Sequence, residues 1–237
     1  MSAATHSRLV IGGGLVAAGA VAVALAFEVK TYRYWRPWCL SWGATESEAV
    51  CGMPGDDLLA DAGIVSTRAV QVDVPPSAIW PWLVQMGPGR GGAYTYDWIE
   101  NLMGLHMHST DRILPEYQSL KVGDKQQLGK RGPVMRVAEL EPKRSLVFRS
   151  DDGNWVWAFA LVPDCAGTRL ISRNRIATRD ASPLAQVLNT YAMEPGSLIM
   201  ERKMLLGIKD RAERLAHAEA GSRLTAGCDG RPHASAA

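Results

Sequence analysis

Residues 134–178 read VMRVAELEPKRSLVFRSDDGNWVWAFALVPDCAGTRLISRNRIAT, and this stretch decides the fold. Trp155, Trp157, Phe159 and Leu161 alternate with Val156, Ala158 and Ala160, which is the two-residue period of a strand. Large side chains fall on one face and small ones on the other. Glu141-Pro142, Asp152-Gly153 and Ala166-Gly167 interrupt the run with turn-forming pairs. The pattern predicts strands over Val134–Leu140, Leu146–Arg149, Trp155–Val162 and Thr168–Thr178, an antiparallel meander. An aromatic face this wide needs a partner layer or a ligand.

Outward from this stretch, Gly123-Asp124 marks a turn before a strand at Lys125–Leu128. Val70, Val72 and Val74 alternate with Gln71 and Asp73 in an earlier strand, Val65–Val74, which Pro75-Pro76 ends. Short helices are predicted over Ser77–Met86 and Tyr96–Met103, the second capped by Gly104. Downstream, Ser182–Met193 reads as a small helix. A long one runs from Pro195 to Ala218 with an apolar stripe of Leu198, Leu205, Ile208, Ala212 and Leu215. Glu201 and the helix's other charged residues read as lying largely off that stripe. Strand, two short helices, several strands and a long helix make an α+β layer arrangement.

The 237 residues carry 26 Lys+Arg against 24 Asp+Glu, and 47% are apolar. That composition belongs to folded chains, and the near balance of charge argues against a dedicated nucleic-acid binder. Arginine outnumbers lysine, 19 to 7, and alanine is abundant, as in proteins of GC-rich bacteria. Cys39, Cys51, Cys165 and Cys228 show no C-x-x-C spacing and read as free thiols of a reducing compartment.

Leu9–Phe27 is a run of 19 residues without a charge. As a helix it spans about 28 Å, close to the hydrocarbon thickness of a bilayer. The flanking Tyr32, Arg33, Tyr34, Trp35, Arg36 and Trp38 suit the headgroup layer, and Lys30, Arg33 and Arg36 outweigh Arg8. The bias places the C-terminal bulk in the cytoplasm of a single-pass protein of the bacterial cell membrane. A cleaved signal peptide is the rival reading, with Ala24-Leu25-Ala26 as its cleavage site. Gly14, Ala18, Ala22 and Ala26 form a small-residue face suited to a membrane-protein partner or a homodimer. The expected organisation is a tail at 1–8, a transmembrane helix at 9–27, a juxtamembrane and linker segment at 28–62, within which Ser41–Ala62 reads as an irregular linker or cover segment, the folded domain at 63–218 and a disordered tail at 219–237.

Several motifs resemble the START/Bet v 1-like superfamily, also called SRPBCC or polyketide cyclase/dehydrase-like. They are Val72-Asp73-Val74-Pro75-Pro76-Ser77-Ala78-Ile79-Trp80, Trp82 to Gly87 with Gly91 to Asn101, Arg112-Ile113-Leu114-Pro115-Glu116, and Met200 to Lys209. The resemblance covers about residues 42–216. It implies a helix-grip fold, in which an antiparallel sheet wraps the long C-terminal helix around a hydrophobic cavity. It also implies a ligand such as a lipid, sterol, polyketide or hormone, or a cyclase activity, and a tether beside the bilayer suits a lipid or isoprenoid-like ligand.

Two groups of residues are candidates for a site. Asp97 or Glu100 would serve as base, with Tyr94 or Arg112 steadying an enolate oxygen, in an aldol-type cyclase or dehydratase. Trp98, Trp155, Trp157, Phe159, Leu205 and Ile208 would line a ligand pocket, whereas Trp80 and Trp82 read as core. Gly87-x-Gly89-x-x-Gly92 matches a dinucleotide fingerprint literally, but it comes after a helix rather than a strand and reads as an inter-helix loop. His106 and His108, with Asp111 and Glu116, read as surface or capping groups rather than a metal site. No metal or cofactor is expected. The favoured function is a membrane-anchored binding protein for a hydrophobic small molecule, with binding favoured over catalysis. The alternatives are a cyclase/dehydratase and an accessory subunit of a membrane complex.

Overall fold

The computed structural model describes residues 30–102, 104–129, 132–179 and 182–228. The apolar run 9–27, its small-residue face and residues 229–237 lie outside them. Among the described residues no helix is long and apolar enough to cross a membrane.

Six strands form one antiparallel sheet in the order β1-β6-β5-β4-β3-β2. They are β1 (Ile64–Val72), β2 (Lys125–Gln127), β3 (Val134–Glu141), β4 (Ser145–Ser150), β5 (Trp155–Asp164) and β6 (Gly167–Ile176). The turns at 142–144, 151–154 and 165–166 are too short for anything but hairpins, so β3 to β6 pair as neighbours. The N-terminal strand closes the far side, with Ile64 opposite Ile176 and Val72 opposite Thr168.

Helix α1 covers residues 30–40, and α2 is Glu46–Val50. Thr45 and Glu48 close a capping box at the start of α2. Helices α3 (Pro76–Val84) and α4 (Asp97–Leu102) lie between β1 and β2. Pro76 opens α3 where a missing N–H costs nothing. After β6, α5 (Pro183–Leu188) passes through a π turn (Asn189–Met193) into α6 (Glu194–Cys228). The helix continues to Cys228, past the expected end at Ala218 and into the stretch read as a disordered tail.

The alternation in β5 sorts the two faces. Trp155, Trp157, Phe159 and Leu161 face α6 and join a core with Ile79, Leu83, Met204, Leu205 and Ile208. Gly207 lets α6 approach the 91–94 loop, because a Cβ there would stand 2.5 Å from the Tyr94 carbonyl oxygen.

The small-residue face of the sheet is covered as well, by residues 44–62. Leu59 packs on Val147, Val156 and Ala158, and Met53 and Ala44 pack near Ala69, Ala160 and Ile171. Three arginines of β6 on this face bond the cover. Arg169 pairs with Glu48 at 2.8 Å and reaches the Gly43 carbonyl. Arg173 donates to Asp56, to the carbonyls of Cys51, Glu48 and Ala49, and to Thr67. Arg175 donates to the carbonyls of Leu59 and Ala60. Of the two readings of this stretch, linker or cover segment, the cover is the one the fold adopts, and residues 44–62 form a layer of the domain. It has little regular structure, so its carbonyls need donors from elsewhere, and β6 supplies them.

Candidate functional site

Between the aromatic face of the sheet and α6 lies a cavity of about 710 Å³. Leu40 of α1, Asn189 and Met193 of the π turn, and Ser197 and Met200 of α6 lie on one side. Trp155 and Trp157 with Ser66, Asn174 and Ile176 form the sheet wall. The two tryptophan rings stack, with centroids 5.8 Å apart, and their indole N–H groups donate to Asn174 and Ser172. A second chamber of about 160 Å³ shares Ala93, Glu100, Trp155 and Trp157 with the first. Its other walls include Met86, Leu105, Met107, Leu128, Met135 and Phe148. The pair of chambers has the size and apolar character of a small-molecule site.

A charged network borders the outer chamber, with Glu201, Ser197 and Asn174 in its wall. Arg68 is fully buried and pairs with Glu201. The guanidinium also donates to the Cys39 carbonyl at 3.0 and 3.1 Å and to Ser197 at 3.1 Å. Glu201 further accepts from Ser172 and, at 3.0 Å, from Asn174. Burial pushes the Glu201 carboxyl up while Arg68 and the two neutral donors oppose it. Among the described residues no other carboxylate pairs with Arg68. Beside this network Glu194 accepts from Arg36 at 2.7 and 2.8 Å and from Tyr32 at 2.8 Å, tying α1 to the start of α6.

The expected site residues separate. Trp155 and Trp157 line both chambers, and Glu100 stands at their junction, 5% exposed. Asp97 accepts from the Ser109 backbone N–H at 2.7 Å and its hydroxyl at 2.6 Å, so its carboxylate holds a loop. Tyr94 is buried in the core with φ 59°, donates to the Trp82 carbonyl, and lies beneath Arg211. Burial raises its hydroxyl further above the ordinary phenol range. The Arg112 side chain is exposed, while its carbonyl accepts from Gln85. Trp98 is 69% exposed, and Phe159, Leu205 and Ile208 are core residues behind the cavity wall. Gly87 and Gly92 close a tight loop by mutual backbone bonds of 2.9 and 3.2 Å, and Gly87 borders the inner chamber. Among the described residues no three His, Cys, Asp or Glu side chains converge on one point.

No family model matches the chain, and no curated protein does. Solved structures do match. A protein of Mesorhizobium loti is 17% identical over 64% of this chain and 98% of its own, with a TM-score of 0.36. A Polyketide_cyc-like protein of Corynebacterium glutamicum is 13% identical over 66% and 93%, with a TM-score of 0.42. An AHSA1-like protein of Aeromonas hydrophila is 17% identical over 65% and 94%, with a TM-score of 0.34. The reading of the site rests on its own residues.

Sequence reasoning missed Arg68, Ser172, Asn174 and Glu201. One signal was available. Glu201 stands three residues after Leu198 and four before Leu205, on the apolar stripe rather than off it, and a charge there calls for a buried partner. Nothing local marks Arg68 as that partner, because 133 residues separate the two.

Glu100 has a measurable signature. Burial pushes its carboxyl above the usual range, and the charge of Asp97 adds to this; the nearby Thr95 hydroxyl offsets part of it. The folded chain therefore holds the Glu100 proton more tightly than the unfolded chain does. Its stabilising contribution is full at acid pH and is lost as pH rises through the folded-state pKa. Glu100→Gln should raise the melting temperature by a few degrees at pH 8 and by less at pH 4.5. Parallel melting curves at both pH values would contradict this.

Proposed function

We propose that this protein is a membrane-tethered binding protein for a hydrophobic small molecule, held between sheet and α6 in a helix-grip arrangement. The observation that carries the proposal is the cavity itself. It is large, mostly apolar, and floored by stacked tryptophans whose polar edges are already bonded. Such a surface holds a ligand by area, with few groups left to orient it.

The tether rests on the uncharged run 9–27 and on the aromatic and basic helix after it. In α1, Tyr32 and Arg36 turn inward to Glu194, while Tyr34, Trp35 and Trp38 are at least half exposed. Leu184, Val187, Leu188, Met193 and Ile199, on α5 and the start of α6, are exposed too. Met193 also lines the cavity. Exposed apolar side chains on α1, α5 and the start of α6, with Met193 among them also lining the cavity, suit a domain resting on the bilayer, with ligand entering from the lipid. The charge bias puts the domain on the cytoplasmic side.

A cyclase or dehydratase reading has one observation in its favour, the buried carboxyl of Glu100. Of the other groups expected to assist it, Asp97 and Tyr94 are engaged in loop and core contacts and the Arg112 side chain is exposed.

Native mass spectrometry with organic extraction, on full-length protein in mild detergent, tests the proposal. A lipid-like species at near one per chain is the expected result. An empty protein that co-purifies in fixed ratio with another membrane protein would overturn it in favour of an accessory subunit.

A further inference from the structure

The inner chamber holds polar atoms that the protein does not satisfy. Glu100 Oε2 and Gln126 Nε2 are both buried and have no hydrogen-bond partner, and both residues line this chamber. Thr95 Oγ1, in the wall of the outer chamber, acts on the Glu100 carboxyl but makes no hydrogen bond of standard geometry. The other carboxylates lining the chambers, Asp152, Glu194 and Glu201, all accept hydrogen bonds, so orphaned atoms beside Glu100 call for a ligand group.

Their chemistry restricts that group. Among the described residues no cation pairs with Glu100, and the nearest charge acting on it is the like charge of Asp97. A neutral carboxyl is a donor through its O–H, and the Gln126 amide nitrogen is a donor only. A carbonyl oxygen, with two lone pairs, accepts from both. An ammonium group would satisfy Glu100 only as the anion and would leave Gln126 facing another donor. A plain hydrocarbon would satisfy neither.

Resting on the binding reading above, we infer that the ligand is an apolar molecule bearing a carbonyl oxygen, a ketone or ester. That oxygen sits at the junction of the two chambers and accepts from Glu100 and Gln126. One apolar arm fills the inner chamber against Met86, Met107 and Met135, and the longer part lies across Trp155 and Trp157 in the outer one.

The test is a retention experiment on immobilised full-length protein in mild detergent. The protein is incubated with equimolar 2-tridecanone, tridecylamine and tridecane, washed and extracted, and the three are quantified. Wild type should retain the ketone at least about tenfold over the amine and the alkane. Glu100→Gln, whose amide still donates, should keep that preference within about threefold. Glu100→Leu and Gln126→Leu should each lose most of it, retaining ketone and alkane within about threefold of one another. Equal retention of ketone and alkane, preference for the amine, or an undiminished preference in both leucine variants would overturn the inference and leave the cavity reading standing. Retention of none of the three above detergent background would sink both.

Discussion

Arg68→Met should destabilise the domain by about 3–5 kcal/mol, the cost typical of removing one partner from a buried ion pair. Methionine replaces most of the aliphatic volume, so the loss is polar. Glu201 would keep only Ser172 and Asn174, and the Cys39 carbonyl would lose both donated bonds. At about 2–4 °C per kcal/mol for a domain of this size, the melting temperature falls by about 10 °C. The double variant Arg68→Met/Glu201→Leu should recover most of that, since an apolar pair leaves no uncompensated charge. Thermal denaturation followed by circular dichroism reads both. A single variant within about 1 kcal/mol of wild type, or a double variant no better than the single, would show that the pair does not hold the cavity wall.

Arg173→Met should release the cover layer. The guanidinium is 3% exposed and bonds three backbone carbonyls, the Asp56 carboxylate and the Thr67 hydroxyl. Each net bond contributes about 1 kcal/mol, and carbonyls left buried without a donor cost more. A loss of about 3 kcal/mol is expected, with new protease cleavage between residues 44 and 62. Arg173→Lys should restore only part of it, because an ammonium has three donors where the guanidinium has five in a planar fork. Limited proteolysis with mass mapping decides the matter: unchanged resistance in the methionine variant would mean that apolar contacts alone hold the layer.

The strands and helices were legible because their signals are local. Alternation in β5, the Gly and Pro turns, and Pro76 at the head of α3 all act within a few residues. The two tryptophans of the cavity wall were legible for the same reason, since the period of two assigns them to one face. Glu100 was singled out by its chemistry, as were Asp97, Tyr94 and Arg112, but chemistry alone did not separate them. Six residues apart in sequence, Tyr94 and Glu100 end up in the packed core and at the chamber junction respectively. The difference is made by α6, where Gly207 and Arg211 hold the Tyr94 loop. The cover layer was harder to read. Residues 44–62 lack periodicity, and their donors are over a hundred residues away on β6.

The α+β class, the antiparallel meander, the long final helix, the uncharged run at 9–27 and the aromatic face of β5 are all legible in the chain's order of residues. These come from side-chain period, turn chemistry and hydropathy, which are properties of short windows. Folding in three dimensions settles what remains: that there is a two-chambered cavity, that Arg68 and Glu201 pair behind its wall, that residues 44–62 cover the opposite face, and that Glu100 rather than Asp97 borders both chambers. The reason is physical. Each depends on which groups meet after long loops close, and on whether a buried polar atom finds a partner there, and neither is encoded in any one window of the chain.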